Sequence, residues 1–145
     1  MSEAALLKKP TSELLFALSQ TDNIHSYLNE FSDSFINASV TEKLNKLIIE
    51  KSISKAAAIK NAEINEIYGY QLFAGKRKPS RDTLLCLCVG LALNVDESQQ
   101  LLKEAEYAPL YPKRKRDSVI LFGIQKNSGV SEINDCLYSL NLPTL

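Results

Sequence analysis

The chain has 145 residues and a mass of 16.2 kDa, enough for one compact domain with an appendage and a core of its own. Hydrophobic residues make up 45% and charged residues 23%, which excludes wholesale disorder and collagen-like or coiled-coil chains. No apolar run reaches the roughly eighteen residues of a membrane span, and seventeen basic residues cancel seventeen acidic ones, which speaks against a purely electrostatic nucleic-acid binder.

Residues 1–10 lack the apolar core of a secretory signal, and three cysteines do not make a disulfide framework. The expectation is a soluble cytoplasmic protein. Formal neutrality hides an uneven distribution. Residues 1–39 hold two bases against five acids, residues 40–116 fourteen against nine, and residues 117–145 one against three. A basic middle between acidic flanks is either a nucleic-acid-facing module or ordinary surface variation.

In chain order, Thr11 or Ser12 caps a short helix with Leu14, Leu15 and Leu18. Within residues 19–41, Tyr27, Phe31 and Phe35 fall four apart and predict a second helix, its stripe serving as core or as docking surface. Thr41 caps a helix with Leu44, Leu47 and Ile48 on one face. Ser54 caps an Ala-rich helix, Lys55–Asn61, whose small side chains allow close approach of a neighbour. Asn65 caps Glu66–Ala74, and Gly75 ends it. Lys76-Arg77-Lys78-Pro79 is a basic connection. Ser80 then caps Arg81–Leu91, with Leu84, Leu85, Cys88 and Leu91 inward. Asp96 caps a helix through Ala105, with Leu101, Leu102 and Ala105 inward. Pro109 and Pro112 frame a loop, a further helix runs from Arg114 to Lys126, and Ser131 and Glu132 open a last one carrying Ile133, Cys136, Leu137 and Leu140. No stretch alternates at period two, and five glycines are few for hairpins. The prediction is an all-α fold of about eight helices.

The tight connection Asn61-Ala62-Glu63-Ile64 has the spacing of a helix-turn-helix. Leu44 and Leu47, Ile53-Ser54-Lys55-Ala56-Ala57, Ile64-Asn65-Glu66-Ile67-Tyr68, and above all Leu72-Phe73-Ala74-Gly75-Lys76-Arg77-Lys78-Pro79-Ser80 resemble the lambda-repressor/Cro-like, or XRE-type, DNA-binding domains. Leu84-Leu85 and Leu91-Ala92-Leu93-Asn94-Val95 fit the following helix and loop. The likeness covers about half the chain strictly. Through Tyr68–Phe73, Ala108–Pro112 and the closing helices it also resembles a subgroup of bacterial XRE-type regulators of similar length. It implies a five-helix domain over residues 40–107, with an N-terminal helical extension (1–39) and a C-terminal helical hairpin (108–145). It further implies sequence-specific binding of double-stranded DNA, transcriptional regulation, a nucleoid-associated cytoplasmic location, and symmetric dimers on half-sites about 34–36 Å apart. One residue departs from the pattern. The turn position that favours glycine holds Glu63, where left-handed backbone costs about 1–2 kcal/mol.

On a helical wheel Ile64, Tyr68, Gly69 and Leu72 share the inner side of the Glu66–Ala74 helix, while Glu66, Ile67, Tyr70 and Gln71 share the outer side. Gln71 can make a bidentate contact to adenine, Glu66 can accept from the cytosine amino group, and Ile67 can meet a thymine methyl. The alternative for Glu66 and Gln71 is simple solvation. Tyr70 can instead cover part of the core. Phosphate contacts are expected from Lys55, Lys76, Arg77, Lys78, Ser80 and Arg81. Lys113-Arg114-Lys115-Arg116 is either a further phosphate contact or a solvated helix start.

The only histidine, His25, lies in a polar segment, so no Ser-His-Asp triad can form around another. Cys86, Cys88 and Cys136 make a poor zinc set and read as small core or boundary residues. No glycine-rich phosphate loop or catalytic carboxylate pair is present. The expectation is a regulator without enzymatic activity or cofactor, acting as a homodimer, with a possible protein partner on its flanking helices. The rival reading is a helical protein-interaction module that keeps the fold without binding DNA. A metal-dependent nuclease lacks a ligand cluster.

Overall fold

Nine α-helices and no strand occupy residues 10–31 and 40–145, the part of the chain that the computed structural model describes. They are α1 (Thr11–Gln20), α2 (Ile24–Glu30), α3 (Val40–Glu50), α4 (Lys55–Ala62), α5 (Glu66–Phe73), α6 (Arg81–Gly90), α7 (Val95–Glu104), α8 (Lys115–Gln125) and α9 (Val130–Ser139). The all-α class expected from the sequence is present, and each of the nine segments that the sequence marks as helical holds a helix, against a stated total of about eight. No described helix is long and apolar enough to cross a membrane. The chain divides into two units, Met1–Ala38 and Ser39–Leu145.

In the first unit α1 begins after Pro10 without a side-chain cap, so neither Thr11 nor Ser12 plays the expected role. Asn23 caps α2, its side chain accepting from the amides of His25 and Ser26 at 3.0 and 3.4 Å. Tyr27 is buried and its ring centroid lies 5.0 Å from that of Phe31. Phe35, the third member of the stripe, lies outside the described residues.

In the second unit most boundaries follow local capping chemistry. Ser54 accepts from the Ala57 amide at 3.0 Å, Asn65 from Tyr68 at 3.0 Å, and Ser80 from Thr83 at 3.2 Å. Two expectations need correction. Thr41 lies inside α3 rather than at its cap, and its hydroxyl meets the Leu72 carbonyl instead. Asn94, not Asp96, caps α7. Its side chain accepts from the Glu97 amide at 2.8 Å while Glu97 accepts from the Asn94 amide at 3.0 Å, a reciprocal capping box.

The Asn94 amide, and then Lys51 just after α3 at 2.9 Å, hold the Glu97 carboxyl below its usual range. A depressed carboxylate pKa stabilises the fold above the unfolded-state value and loses that contribution as pH falls through the folded one. Wild type should therefore shed a small increment of stability below the ordinary glutamate range that Glu97→Gln never had. Urea midpoints of the two proteins should converge as pH is lowered; parallel acid profiles would contradict this role.

At the centre lies α6, where Leu84 through Cys88 are all buried, the pattern of a helix surrounded by others. Leu44, Ile59, Leu72, Leu91 and Leu102 complete the core around it, and α8 and α9 add Ile120, Ile124, Val130, Ile133 and Leu137 to the same cluster. The small residues of α4 do what their size allows. A Cβ at Gly90 would lie 2.6 Å from the Ala58 carbonyl and 2.7 Å from the Ala62 nitrogen, so α4 and α6 meet backbone to backbone. Burial pushes the Cys86 thiol up to about 11 and that of Cys88 up to about 12, which leaves both protonated and poorly nucleophilic at neutral pH. Cys136 is exposed rather than a core or boundary residue, and Leu140 at the end of α9 is exposed as well.

Candidate nucleic-acid interface

Exposure divides α5 along the two sides of the wheel. Gly69, Leu72 and Phe73 are buried, with Ile64 and Tyr68 half-buried beside them. Glu66 and Tyr70 are exposed, Ile67 keeps 72% of its surface, and Gln71 is half-buried on the same outer side.

Three attachments fix the pose of α5. At its start, Glu63 closes α4 in left-handed geometry, with φ 55° and ψ 36°. The strain expected for a non-glycine residue is real, and the side chain offsets it. The Glu63 carboxylate accepts from the Ser131 amide at 2.7 Å and from the Ser131 hydroxyl. Ser131 sits in the first turn of α9, where unpaired amides favour an anion, and Gly129 before it provides no side-chain cap. Glu63 therefore caps α9 from a distance and ties the turn before α5 to the C-terminal hairpin.

At the other end, Gly75 takes φ 77° and lets the Lys76 amide return to the Gln71 carbonyl at 3.0 Å. Asn45 of α3 donates to the Phe73 carbonyl at 2.9 Å. On the inner side, a Cβ at Gly69 would lie 2.7 Å from the Ile59 side chain, so α5 rests closely on α4.

These attachments set an expected order of stabilities. Glu63→Ala removes the brace and keeps the backbone strain, whereas Glu63→Gly removes both. We expect the glycine variant to match wild type and the alanine variant to fall about 1 kcal/mol below it in urea denaturation. Equal losses in the two would remove the strain argument.

The basic loop follows directly. Lys76, Arg77 and Lys78 are exposed. The Arg77 guanidinium lies 5.6 Å from the centroid of the Tyr68 ring, and the Lys78 ammonium 5.1 Å from that of Tyr107. The Tyr107 hydroxyl donates to the Pro79 carbonyl at 2.5 Å, which anchors the loop to the segment after α7. Lys55 is exposed at the first position of α4.

Two expected phosphate contacts are engaged elsewhere. The Ser80 hydroxyl caps α6 and donates to Thr83 Oγ1 at 3.0 Å. Arg81 donates to the carbonyls of Ala108 and Pro109 and, through both terminal nitrogens, to the Asp117 carboxylate. Four of its five N–H donors are thereby used on the fold, and we remove Arg81 from the phosphate set. The Asp117 carboxylate, nearly fully buried, also accepts from the Tyr111 amide at 2.9 Å.

Arg116 makes the mirror-image pair. Its guanidinium holds the Asp82 carboxylate at 2.9 and 3.0 Å and reaches the carbonyls of Pro143 and Thr144. The sequence carries Arg81-Asp82 and Arg116-Asp117 at the starts of two helices, and each arginine takes the other dipeptide's aspartate. That repeated dipeptide is the one sign of the clamp available in the sequence.

Among the described residues no group of three His, Cys, Asp or Glu side chains is placed to hold a metal ion. Comparison of the chain with protein-family models, with curated proteins and with solved structures returned no match.

Proposed function

We propose that the chain is a sequence-specific double-stranded DNA-binding regulator of the lambda-repressor/XRE type. In this reading α3–α7 are its five-helix domain, α4 and α5 its helix-turn-helix, and α5 its recognition helix. The observation that carries the reading is one adjacency: a rigidly held helix exposes Glu66, Ile67, Tyr70 and part of Gln71, and three exposed cations follow it closely. A major groove admits one helix, and the phosphates flanking that helix meet Lys76, Arg77 and Lys78. Gln71 would read adenine, Ile67 a thymine methyl, and Glu66 the amino group of cytosine. Lys55, at the positive end of α4, would take a phosphate on the other side. The protein would act as a homodimer in a bacterial cytoplasm, bound to the nucleoid, with no chemical step of its own.

The exposed Ile67 and the acidic Glu66 are also what a protein-docking face would show, so the rival module reading keeps a specific basis. Selection from a random-sequence duplex pool, repeated at two salt concentrations, separates the two. A recovered two-fold-symmetric motif with steep salt dependence supports the regulator. No enrichment, together with weak binding at low salt, would falsify it and favour the module.

A further inference from the structure

The regulator reading leaves the run before α8 without a role, and the fold brings that run close to the basic loop after α5. We propose that Lys113, Arg114 and Lys115 form a second phosphate-binding strip, continuous with Lys76–Lys78, so that the C-terminal hairpin lengthens the DNA contact beyond the helix-turn-helix. This rests on the regulator reading and deepens it.

The two runs are far apart in sequence, and named contacts bring them together. Lys78 lies over Tyr107, the Tyr107 hydroxyl holds the Pro79 carbonyl, and Arg81 holds the carbonyls of Ala108 and Pro109. The crossed pairs Arg81–Asp117 and Arg116–Asp82 then lock the first turn of α6 to the first turn of α8. Arg81, Arg114 and Lys115 consequently share the wall of one open depression of about 690 Å³.

The clamp also decides the charge of this surface. Asp82 and Asp117, two carboxylates that would repel a phosphate here, are each paired with an arginine; Asp117 is buried, and Asp82 keeps 45% of its side-chain surface. Glu106 is exposed beside Tyr107 and lines a neighbouring depression with Asp96 and Lys103, one that shares Ala108 and Pro109 with the first. Lys113, Arg114 and Lys115 are exposed and form no ion pair among the described residues, whereas Arg116, the fourth member of the run, is engaged in the fold. The structure thus divides the run into one structural cation and three uncommitted ones.

Their position is a second, independent pointer to an anion. Arg114 occupies the cap of α8 without any side-chain cap bond, and Lys115 the first helical position. Cations there oppose the helix macrodipole and the outward amides of the first turn. Helical stability alone would select acids or serine at these sites. The cost is small at exposed positions, about 0.3–1 kcal/mol each, and the first turn already holds Asp117; a backbone of regularly spaced phosphates, engaged by Lys76–Lys78 in the regulator reading, would offset it.

The experiment measures binding of the full chain to a random-sequence duplex pool across a salt series. We expect the triple variant Lys113→Gln, Arg114→Gln, Lys115→Gln to lose about 2.7 from the magnitude of the slope of log K against log salt, near 0.9 for each of three phosphates. The variant Lys113→Arg, Lys115→Arg should keep the wild-type slope. A triple variant with the wild-type slope overturns the second strip and leaves the regulator reading intact. Slope loss in the arginine variant also overturns it, since charge would not be the cause. Wild type without salt-dependent binding overturns both readings together.

Discussion

Gly90→Ala should destabilise the second unit by about 3 kcal/mol or more, even though the change improves helix propensity by about 1 kcal/mol. The added carbon would stand 2.6 Å from the Ala58 carbonyl and 2.7 Å from the Ala62 nitrogen. Both are backbone atoms of α4, so no rotamer change can make room, and α4 and α6 must part. Against a total stability of roughly 5–15 kcal/mol this is a large share, on the order of a 12–20 °C fall in melting temperature. Gly90→Leu should abolish cooperative folding. Gly69 provides the control. The three atoms nearest its Cβ all belong to the Ile59 side chain, so Gly69→Ala should be partly rescued by Ile59→Ala. Gly90→Ala should not be rescued by Ala62→Gly, because the carbonyl and amide remain. Rescue at Gly90, read from thermal melts of the double variants, would show that the helices have slack there.

The sequence does not announce that role. A glycine near the end of a helical pattern reads as a stop signal, yet the pattern of Arg81–Leu91 runs past it. What is legible is the complementary fact that Lys55–Asn61 is built of small residues and so can approach a neighbour closely. Caps are legible for the same reason, because they are local. Ser54, Asn65 and Ser80 each satisfy an amide three residues on, and each boundary lies where its cap predicts. The start of α7 differs from the expectation because Asn94 and Asp96 are both good cap residues. The capping box does not arbitrate in the sequence, since Glu97 follows Asn94 and Gln99 follows Asp96 at the same spacing; in the structure Gln99 bonds the backbone of Leu110 instead, and Glu97 closes the box with Asn94.

Long-range polar pairing is not legible in this way. Arg81 at a helix start after a basic loop has every local attribute of a phosphate ligand. Only the arrival of Asp117 and the carbonyls of Ala108 and Pro109 removes it from that set. Glu63 is the same case reversed. Locally it is a wrong residue in a left-handed turn, and its value emerges only when α9 places Ser131 beside it. The outer face of α5 is legible for Glu66, Ile67 and Tyr70, since the wheel needs only the helix and one buried side to fix the other, whereas Gln71 is half-buried at its edge.

Formal neutrality is the remaining argument against DNA binding, and it is a property of the whole chain: residues 40–145 hold fifteen basic against twelve acidic residues. Glu97 is tied to Lys51, Glu104 to Lys43, Asp82 to Arg116 and Asp117 to Arg81, pairs that take as many bases as acids and so leave that excess of three unchanged. Lys76, Arg77 and Lys78 have no such carboxylate partner among the described residues. On the regulator reading, the triple charge reversal Lys76→Glu, Arg77→Glu, Lys78→Glu should lose at least about a thousandfold in DNA affinity at moderate salt, because three attractive phosphate contacts become repulsive. The loss should be the same for every sequence tested. Gln71→Ala should behave differently, with roughly 1–3 kcal/mol lost at one base position and little change in the salt slope. Titrations of both variants against one selected duplex and its single-base substitutions provide the comparison. On the module reading neither variant changes anything measurable on DNA. The loop can bear the reversal because its anchor is the Tyr107–Pro79 bond, which the three side chains do not make. Arg77 and Lys78 would lose only their contacts with the Tyr68 and Tyr107 rings, worth about 0.5–1 kcal/mol each at exposed sites. A folded variant that still binds with wild-type affinity would therefore place the phosphate contacts elsewhere on the molecule.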